Sequence, residues 1–104
     1  MIKIFISGKI TGEPIRKCFW KFHCAKSDAV LRKLEFNDYT IKVSPFDIEG
    51  MNFGEKYSKY IQLCNEELKT CTHIYMLKDW ERSEGAKKEH ELAKKLGLKI
   101  IYQL

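Results

Sequence analysis

No apolar run in this chain approaches the ~20 residues needed to cross a bilayer, which excludes a spanning helix. The opening MIKIFISGKI lacks the basic start, long apolar stretch and small-residue cleavage site of a signal peptide, so a cytoplasmic protein is expected. None of the four cysteines, Cys18, Cys24, Cys64 and Cys71, forms a C-x-x-C pair, and no histidine stands at a finger-like spacing from them. A zinc site is therefore not expected and no cofactor is implied; the cysteines read as reduced, half-buried packing residues. Repeats, low-complexity tracts and linkers are also absent. Only two prolines occur, and both Pro14 and Pro45 sit where an element should begin or end.

Charge of one sign is only mildly in excess: 19 Lys and Arg stand against 14 Asp and Glu, a formal net charge of +5. The lysines are scattered over several segments rather than gathered in one run. No RNP-type aromatic motif and no helix-turn-helix pattern accompanies them. Nucleic acid is therefore not the expected partner. A modest positive field equally suits a small phosphorylated ligand.

What remains is an ordinary globular composition, 44% hydrophobic and 32% charged, in 104 residues, enough for one domain with one core. The chain alternates. Ile2–Ile6 is a short β-branched strand, followed by the turn-rich SGKITGEP. Apolar residues then recur at Ile15, Cys18, Phe19, Phe22, Ala25, Ala29, Val30 and Leu34, which predicts a helix from Ile15 to about Phe36. Tyr39–Val43 is a second strand, closed by Ser44-Pro45, and Phe46–Glu55 a loop. Tyr57, Tyr60, Ile61, Cys64 and Leu68 mark a second helix. Ile74–Leu77 is a third strand, Gly85–Leu96 a third helix stopped by Gly97, and Lys99–Tyr102 a fourth strand. The order implies right-handed crossovers and a four-stranded parallel sheet with helices on both faces, a small flavodoxin- or Rossmann-like three-layer sandwich. Ligands in such sheets bind beyond the carboxyl ends of the strands. Those ends are Ser7–Gly12, Ser44–Gly54 and Lys78–Ser83.

One acid breaks the pattern of the last helix. With Ala86 at zero and ~100° per residue, Glu89 falls at about 300°, Ala93 at about 340° and Leu96 at about 280°. Glu89 thus shares the stripe that packs on the sheet, whereas Lys87, Lys88, Glu91, Lys94 and Lys95 lie largely elsewhere. A carboxylate there needs a partner, a cavity or a chemical role. The nearby helix start should favour its charged form, which a nucleophile requires. The plainer alternative is a peripheral acid tilted to solvent or paired with a lysine. Just upstream, Ser83-Glu84-Gly85 sets a hydroxyl and free N–H groups at a helix N-terminus, a ready anion site; alternatively Ser83 is an ordinary cap.

The array Ser83-x-Gly85-x-x-x-Glu89-x-x-x-Ala93 resembles the signature of the nucleoside 2-deoxyribosyltransferase superfamily, which includes deoxynucleoside-monophosphate N-glycosidases. More closely, FISGKITG and CTHIYMLKDWERSEGAKKEHELAKKLGLKIIY, with the spacing between them, resemble the DUF4406 family, common in phages and prophages. The resemblance implies that Glu89 attacks C1′ of a deoxyribosyl group. It also implies that Ser83 and Gly85 hold a 5′-phosphate, that the loop Ser7, Gly8, Lys9, Ile10, Thr11, Gly12 lines the sugar and base pocket, and that the protein assembles as a homodimer or larger. Asp47 and Asp79, acids in loops at strand ends, could serve the departing base with a proton; turn and capping roles compete for both. Trp80 could stack on a base or simply pack.

Three positions depart from the family patterns. Lys9 replaces a proline, Thr72 an aspartate, and Cys64 or Asn65 stands where deoxyribosyltransferases carry an acid on the second helix. Lys9 adds a cation suited to a phosphate. The expected activity is an N-glycosidase or deoxyribosyltransferase acting on a nucleoside 5′-monophosphate. The second reading keeps the pocket without chemistry, a nucleotide-binding or sensing module. The third is a basic surface for protein or nucleic acid.

Overall fold

The computed structural model describes residues 1–35, 39–53 and 57–104. Strands β1 (Ile2–Ser7), β2 (Thr40–Val43), β3 (His73–Met76) and β4 (Lys99–Tyr102) form one sheet, order β2-β1-β3-β4, with every pairing parallel. The helices are α1 (Ile15–Ala25), α2 (Ala29–Arg32), α3 (Tyr57–Leu68) and α4 (Glu84–Leu96), with 3₁₀ turns at Lys33–Glu35, Pro45–Asp47 and Trp80–Arg82. This is the expected flavodoxin- or Rossmann-like sandwich.

Strand β1 is central, and side chains alternate across it with a period of two. Ile4 and Ile6 join Tyr75 and Leu77 on one face, covered by Cys18, Phe22 and Ala25 of α1 and Leu31 of α2. Phe5 joins Val43, Ile74 and Met76 on the other, covered by Cys64 and Leu68 of α3 and Ala86 and Ala93 of α4. Continuous burial on both faces is why the strands read as short apolar runs rather than alternating ones. The next residue on the Phe5 face is Ser7, so a hydroxyl ends the strand on the α3/α4 side.

The single helix expected from Ile15 to about Phe36 is instead two. After α1, the N–H groups of Ser27 and Asp28 bond to the carbonyls of Cys24 and Ala25, three residues back, and Asp28 turns extended to open α2. The break plants the Asp28 carboxylate at the Tyr75 hydroxyl, which donates to it at 2.6 Å, and at the Gln103 amide, 3.2 Å away. Periodicity carried across the break because Ala25, Val30, Leu31 and Leu34 all pack on one cluster. Phe36, and Gly54 and Glu55 of the expected loop, lie outside the described residues. The third strand starts one residue earlier than expected, at His73. All four cysteines are free, but Cys24 is exposed rather than half-buried.

Helix α4 is closed at both ends as its sequence proposes. Ser83 accepts a hydrogen bond from the Ala86 N–H at 3.1 Å, and Gly97 adopts the left-handed conformation, φ 75°, at the C-terminus. No helix among the described residues is long and apolar enough to cross a membrane.

Replacing Tyr75 with Phe removes the donor to Asp28 from a side chain that is 1% exposed. The expected loss is about 1–2 kcal/mol of unfolding free energy in a urea titration, with the slope of the transition unchanged. No loss would mean that the Tyr75–Asp28 hydrogen bond adds nothing to stability.

Candidate active site

Strand order reverses between β1 and β3, so the crevice beyond their carboxyl ends is where a doubly wound sheet binds ligands. Ser7 ends β1 there, fully buried, and its backbone carbonyl accepts from the Leu77 N–H at 2.8 Å. Its hydroxyl donates to Oε1 of Glu89 at 2.9 Å. Glu89 is 1% exposed, and its Oε2 is buried without a hydrogen-bond partner. The periodicity placed this acid correctly on the buried stripe. Leu96, on the same computed arc, is 41% exposed, because the helix end has run past the sheet.

Burial pushes the Glu89 carboxyl from its ordinary value near 4.5 up to about 7, against the downward pull of the Ser7 hydroxyl and the neighbouring Cys64 thiol. The expectation that the helix start keeps Glu89 ionised therefore fails. Helix-end fields act within the first turn, and Glu89 is the sixth residue of α4. Desolvation wins. Cys64 is itself buried, and its thiol is pushed far up by burial and by the adjacent carboxylate, so it stays a neutral, weak donor.

A cavity of about 390 Å³ opens at the N-terminus of α4, lined by Lys9, Thr11, Arg82, Ser83, Glu84 and Gly85. The Ser83 hydroxyl serves the Ala86 N–H, and the Ser83 carbonyl accepts from the Lys87 N–H. Among the described residues, no protein acceptor meets the N–H groups of Glu84 and Gly85, which remain donors at the cavity wall. Glu84 itself turns to Lys87, 3.3 Å away. The expected loop residues divide between wall and support. Lys9 and Thr11 face the cavity. Ile10 is instead a core residue on the α1 face, 8% exposed. Gly12, with φ 84°, turns the chain where side chains rarely follow. At Gly8 an added Cβ would meet Leu77 Cδ1 at 2.8 Å, Leu77 Cβ at 3.0 Å and Asp79 Oδ1 at 3.1 Å, so a larger residue would push on both side chains where β1 exits against β3.

Asp79 holds that loop. It accepts from the Lys9 N–H at 3.0 Å and pairs with Lys21 of α1 at 2.5 Å. Burial alone would raise its carboxyl, but the hydrogen bonds from Lys21 and the Lys9 N–H outweigh it and hold Asp79 below its ordinary value. Asp47 stands apart from the cavity. Its Oδ2 accepts from the Ser44 N–H at 2.8 Å, closing a capping box, and pairs with Lys26 at 2.6 Å. Burial opposes these partners and loses, so Asp47 too lies low. Trp80 stacks on His90, ring centroids 4.4 Å apart, and His90 meets the Tyr102 hydroxyl at 2.8 Å. Trp80 thus anchors the Trp80–Arg82 turn to α4.

A family model described as "Domain of unknown function (DUF4406)" matches residues 2–102. The chain belongs to the DUF4406 family. No curated protein matches it in sequence. Among solved structures it is similar to a 2-desoxiribosyltransferase from Leishmania mexicana, with a TM-score of 0.62 and 16% identity, over 98% of this chain and 63% of that one. The DUF4406 chain therefore shares that protein's fold while spanning about 63% of its length.

Two features of this DUF4406 site escaped the sequence. Arg82 adds a second cation to the cavity wall; its place directly before Ser83 was the available signal. Lys21 was invisible, because only the fold brings α1 over the Asp79 loop.

A carboxyl that ionises near 7 when folded and near 4.5 when unfolded lowers stability as pH rises between those values, since the folded state then holds the extra proton. Glu89→Gln removes that dependence. Relative to the native protein, its unfolding free energy should climb from pH 4.5 to 7 by an amount on the order of 3 kcal/mol. Paired urea titrations at pH 4.5 and 8 check it; a constant difference would place the Glu89 carboxyl in solvent.

Proposed function

We propose that this chain acts at the N-glycosidic bond of a nucleoside or deoxynucleoside 5′-monophosphate, with Glu89 as nucleophile. The observation that carries the reading is a single helix bearing both groups. The α4 N-terminus, with Lys9 and Arg82 beside it, offers N–H donors and cations to a phosphate, and Glu89 lies one turn further along the same face. Gly85 and Glu89 are four residues, or about 6 Å, apart along the axis, a span comparable to that from a 5′-phosphate to C1′.

The chemistry balances without a metal. A Glu89 oxygen bonds to C1′ as the C1′–N bond breaks, and the bonding pair leaves with the base, which takes a proton from solvent. Asp47 and Asp79 fit that role poorly, since their lysine partners keep both ionised. Water then attacks C1′, gives up a proton, and returns Glu89 as a carboxylate; a second base in place of water gives transfer. The developing oxocarbenium charge faces the Glu89 carboxylate, buried where water does not screen it. Glu89 Oε2 is covered in this structure, so displacement of its cover accompanies substrate entry.

That same burial favours a second reading. The cavity wall does not include Glu89, and a module that binds a nucleotide without turnover needs only the wall.

Purified protein incubated with a panel of deoxynucleoside and ribonucleoside monophosphates, analysed for free base by chromatography, separates the two. Base release that Glu89→Ala abolishes, by a factor of ~10³ or more, is expected. The rate should rise with pH through about 7, as Glu89 ionises. Binding of a monophosphate without release of base from any panel member would establish the second reading. Full activity of Glu89→Ala would remove the nucleophile.

A further inference from the structure

We infer that Ser7 is a positioning residue for Glu89: its hydroxyl holds Oε1 and thereby reserves Oε2 as the oxygen that attacks C1′. The inference rests on the nucleophile reading given above and adds which oxygen reacts and what selects it.

The two oxygens of a free carboxylate are equivalent and rotate past one another. Here they differ. Oε1 receives a charge-assisted hydrogen bond at 2.9 Å, whereas Oε2 receives none while remaining buried. A donor on one oxygen withdraws electron density from it and stops the group from spinning. The unbonded oxygen keeps its lone pairs free for carbon.

The donor is also unusually well fixed. Ser7 is 0% exposed and sits in a strand paired with β3, opposite Met76. The Ser7 side is therefore set by the sheet, and only α4 has freedom to adjust. An oxygen that must approach C1′ within a few tenths of an ångström gains from such an anchor.

Among the described residues, one other side chain acts on Glu89, the Cys64 thiol, and its pull is the smaller. Strand β1 offers Ser7, and α3 offers Cys64, a neutral weak donor with Tyr60 beside it. On α4 the neighbouring His90 turns away to Trp80 and Tyr102. Among the described residues, no lysine or arginine contributes to the state of Glu89; Ser7 and Cys64 are the side chains that do. An acid at the Cys64 place would repel a charged Glu89, whereas the thiol leaves Ser7 as its principal stabiliser.

The test follows the Glu89 carboxyl carbon by ¹³C NMR in ¹³C-glutamate-labelled protein, assigned with Glu89→Gln, beside pH–rate profiles on the monophosphate that turns over. Ser7→Ala should raise the Glu89 midpoint by roughly one pH unit or more and carry the acid limb of the rate profile up with it. It should also lower kcat roughly tenfold or more while KM moves little, since the lost contact orients the attacking carboxylate rather than binding the substrate. Ser7→Cys, which keeps the packing but offers a weaker donor, should fall between, and it decides the matter if the alanine variant folds poorly. An unmoved Glu89 midpoint in both variants overturns the role of Ser7, yet leaves the nucleophile standing if Glu89→Gln is inactive. Full activity of Glu89→Gln sinks the nucleophile itself, whatever the NMR shows.

Discussion

The alternation of β1 is the constraint from which the rest of the site is set. A parallel strand flanked on both sides cannot slip by one residue without turning its entire apolar set onto the wrong face. With Ile4 and Ile6 committed to α1, and Phe5 to α3 and α4, Ser7 has no choice of side. It delivers a hydroxyl under α4, in a place otherwise filled by carbon. Glu89 is tolerable there because that hydroxyl exists. A Glu89 buried with neither oxygen bonded would carry the full desolvation penalty of a polar group without a partner. The strand continues straight into Gly8, whose missing Cβ lets the chain pass Leu77 and Asp79 and bring Lys9 to the cavity wall. Packing on one face thus reaches the ligand end of the sheet in two residues.

The acids of the chain divide by their neighbours. Asp47 and Asp79 are only partly buried, and each has a lysine and a backbone N–H within 3.0 Å, so the charged form is favoured despite burial. They act as braces: Asp47 at the end of β2, Asp79 between α1 and the Gly8–Gly12 loop. Among the described residues, no cation pairs with Glu89. Its environment is one hydroxyl, one thiol and hydrocarbon, and desolvation lifts it to about 7. A group that changes charge near neutrality can hold or release a proton, and acids locked low by lysine cannot. Depth of burial and the presence of a cation together separate these roles.

Much of this was legible in the residues. Short β-branched runs separated by helical spacing specify the sheet and its layers, because crossover rules leave few alternatives. The misplaced carboxylate was visible as a break in periodicity, since 3.6-residue geometry alone put Glu89 beside Ala86 and Ala93. The cap at Ser83 and the stop at Gly97 were equally readable, as both are local. What stayed hidden depends on residues distant in sequence. The break between α1 and α2 sets Asp28 against Tyr75, 47 residues away, a contact that local spacing does not mark. Ile10 was expected in the ligand loop from its place past the carboxyl end of the first strand and from the family resemblance, yet its side chain turns down into the core. The state of Glu89 was misjudged because the helix end is a nearby, visible influence, whereas the depth of burial exists only after folding.

Burial of Glu89 has a cost as well as a use. As the proposed nucleophile, Glu89 should be dry, since water competes for its lone pairs and screens the charge it must stabilise. Yet a dry group is also a covered one, and the cavity ends one helical turn short of it. The arrangement resolves the conflict if phosphate binding comes first. Lys9, Arg82 and the free N–H groups at the start of α4 can be occupied without disturbing Glu89, and the binding energy gained there is available to open the last few ångströms toward C1′. A nucleoside, which lacks the phosphate, gains none of it. Under the proposed function, selectivity for the nucleotide then resides in access to Glu89 as much as in affinity, so removing the phosphate should depress kcat as well as raise KM.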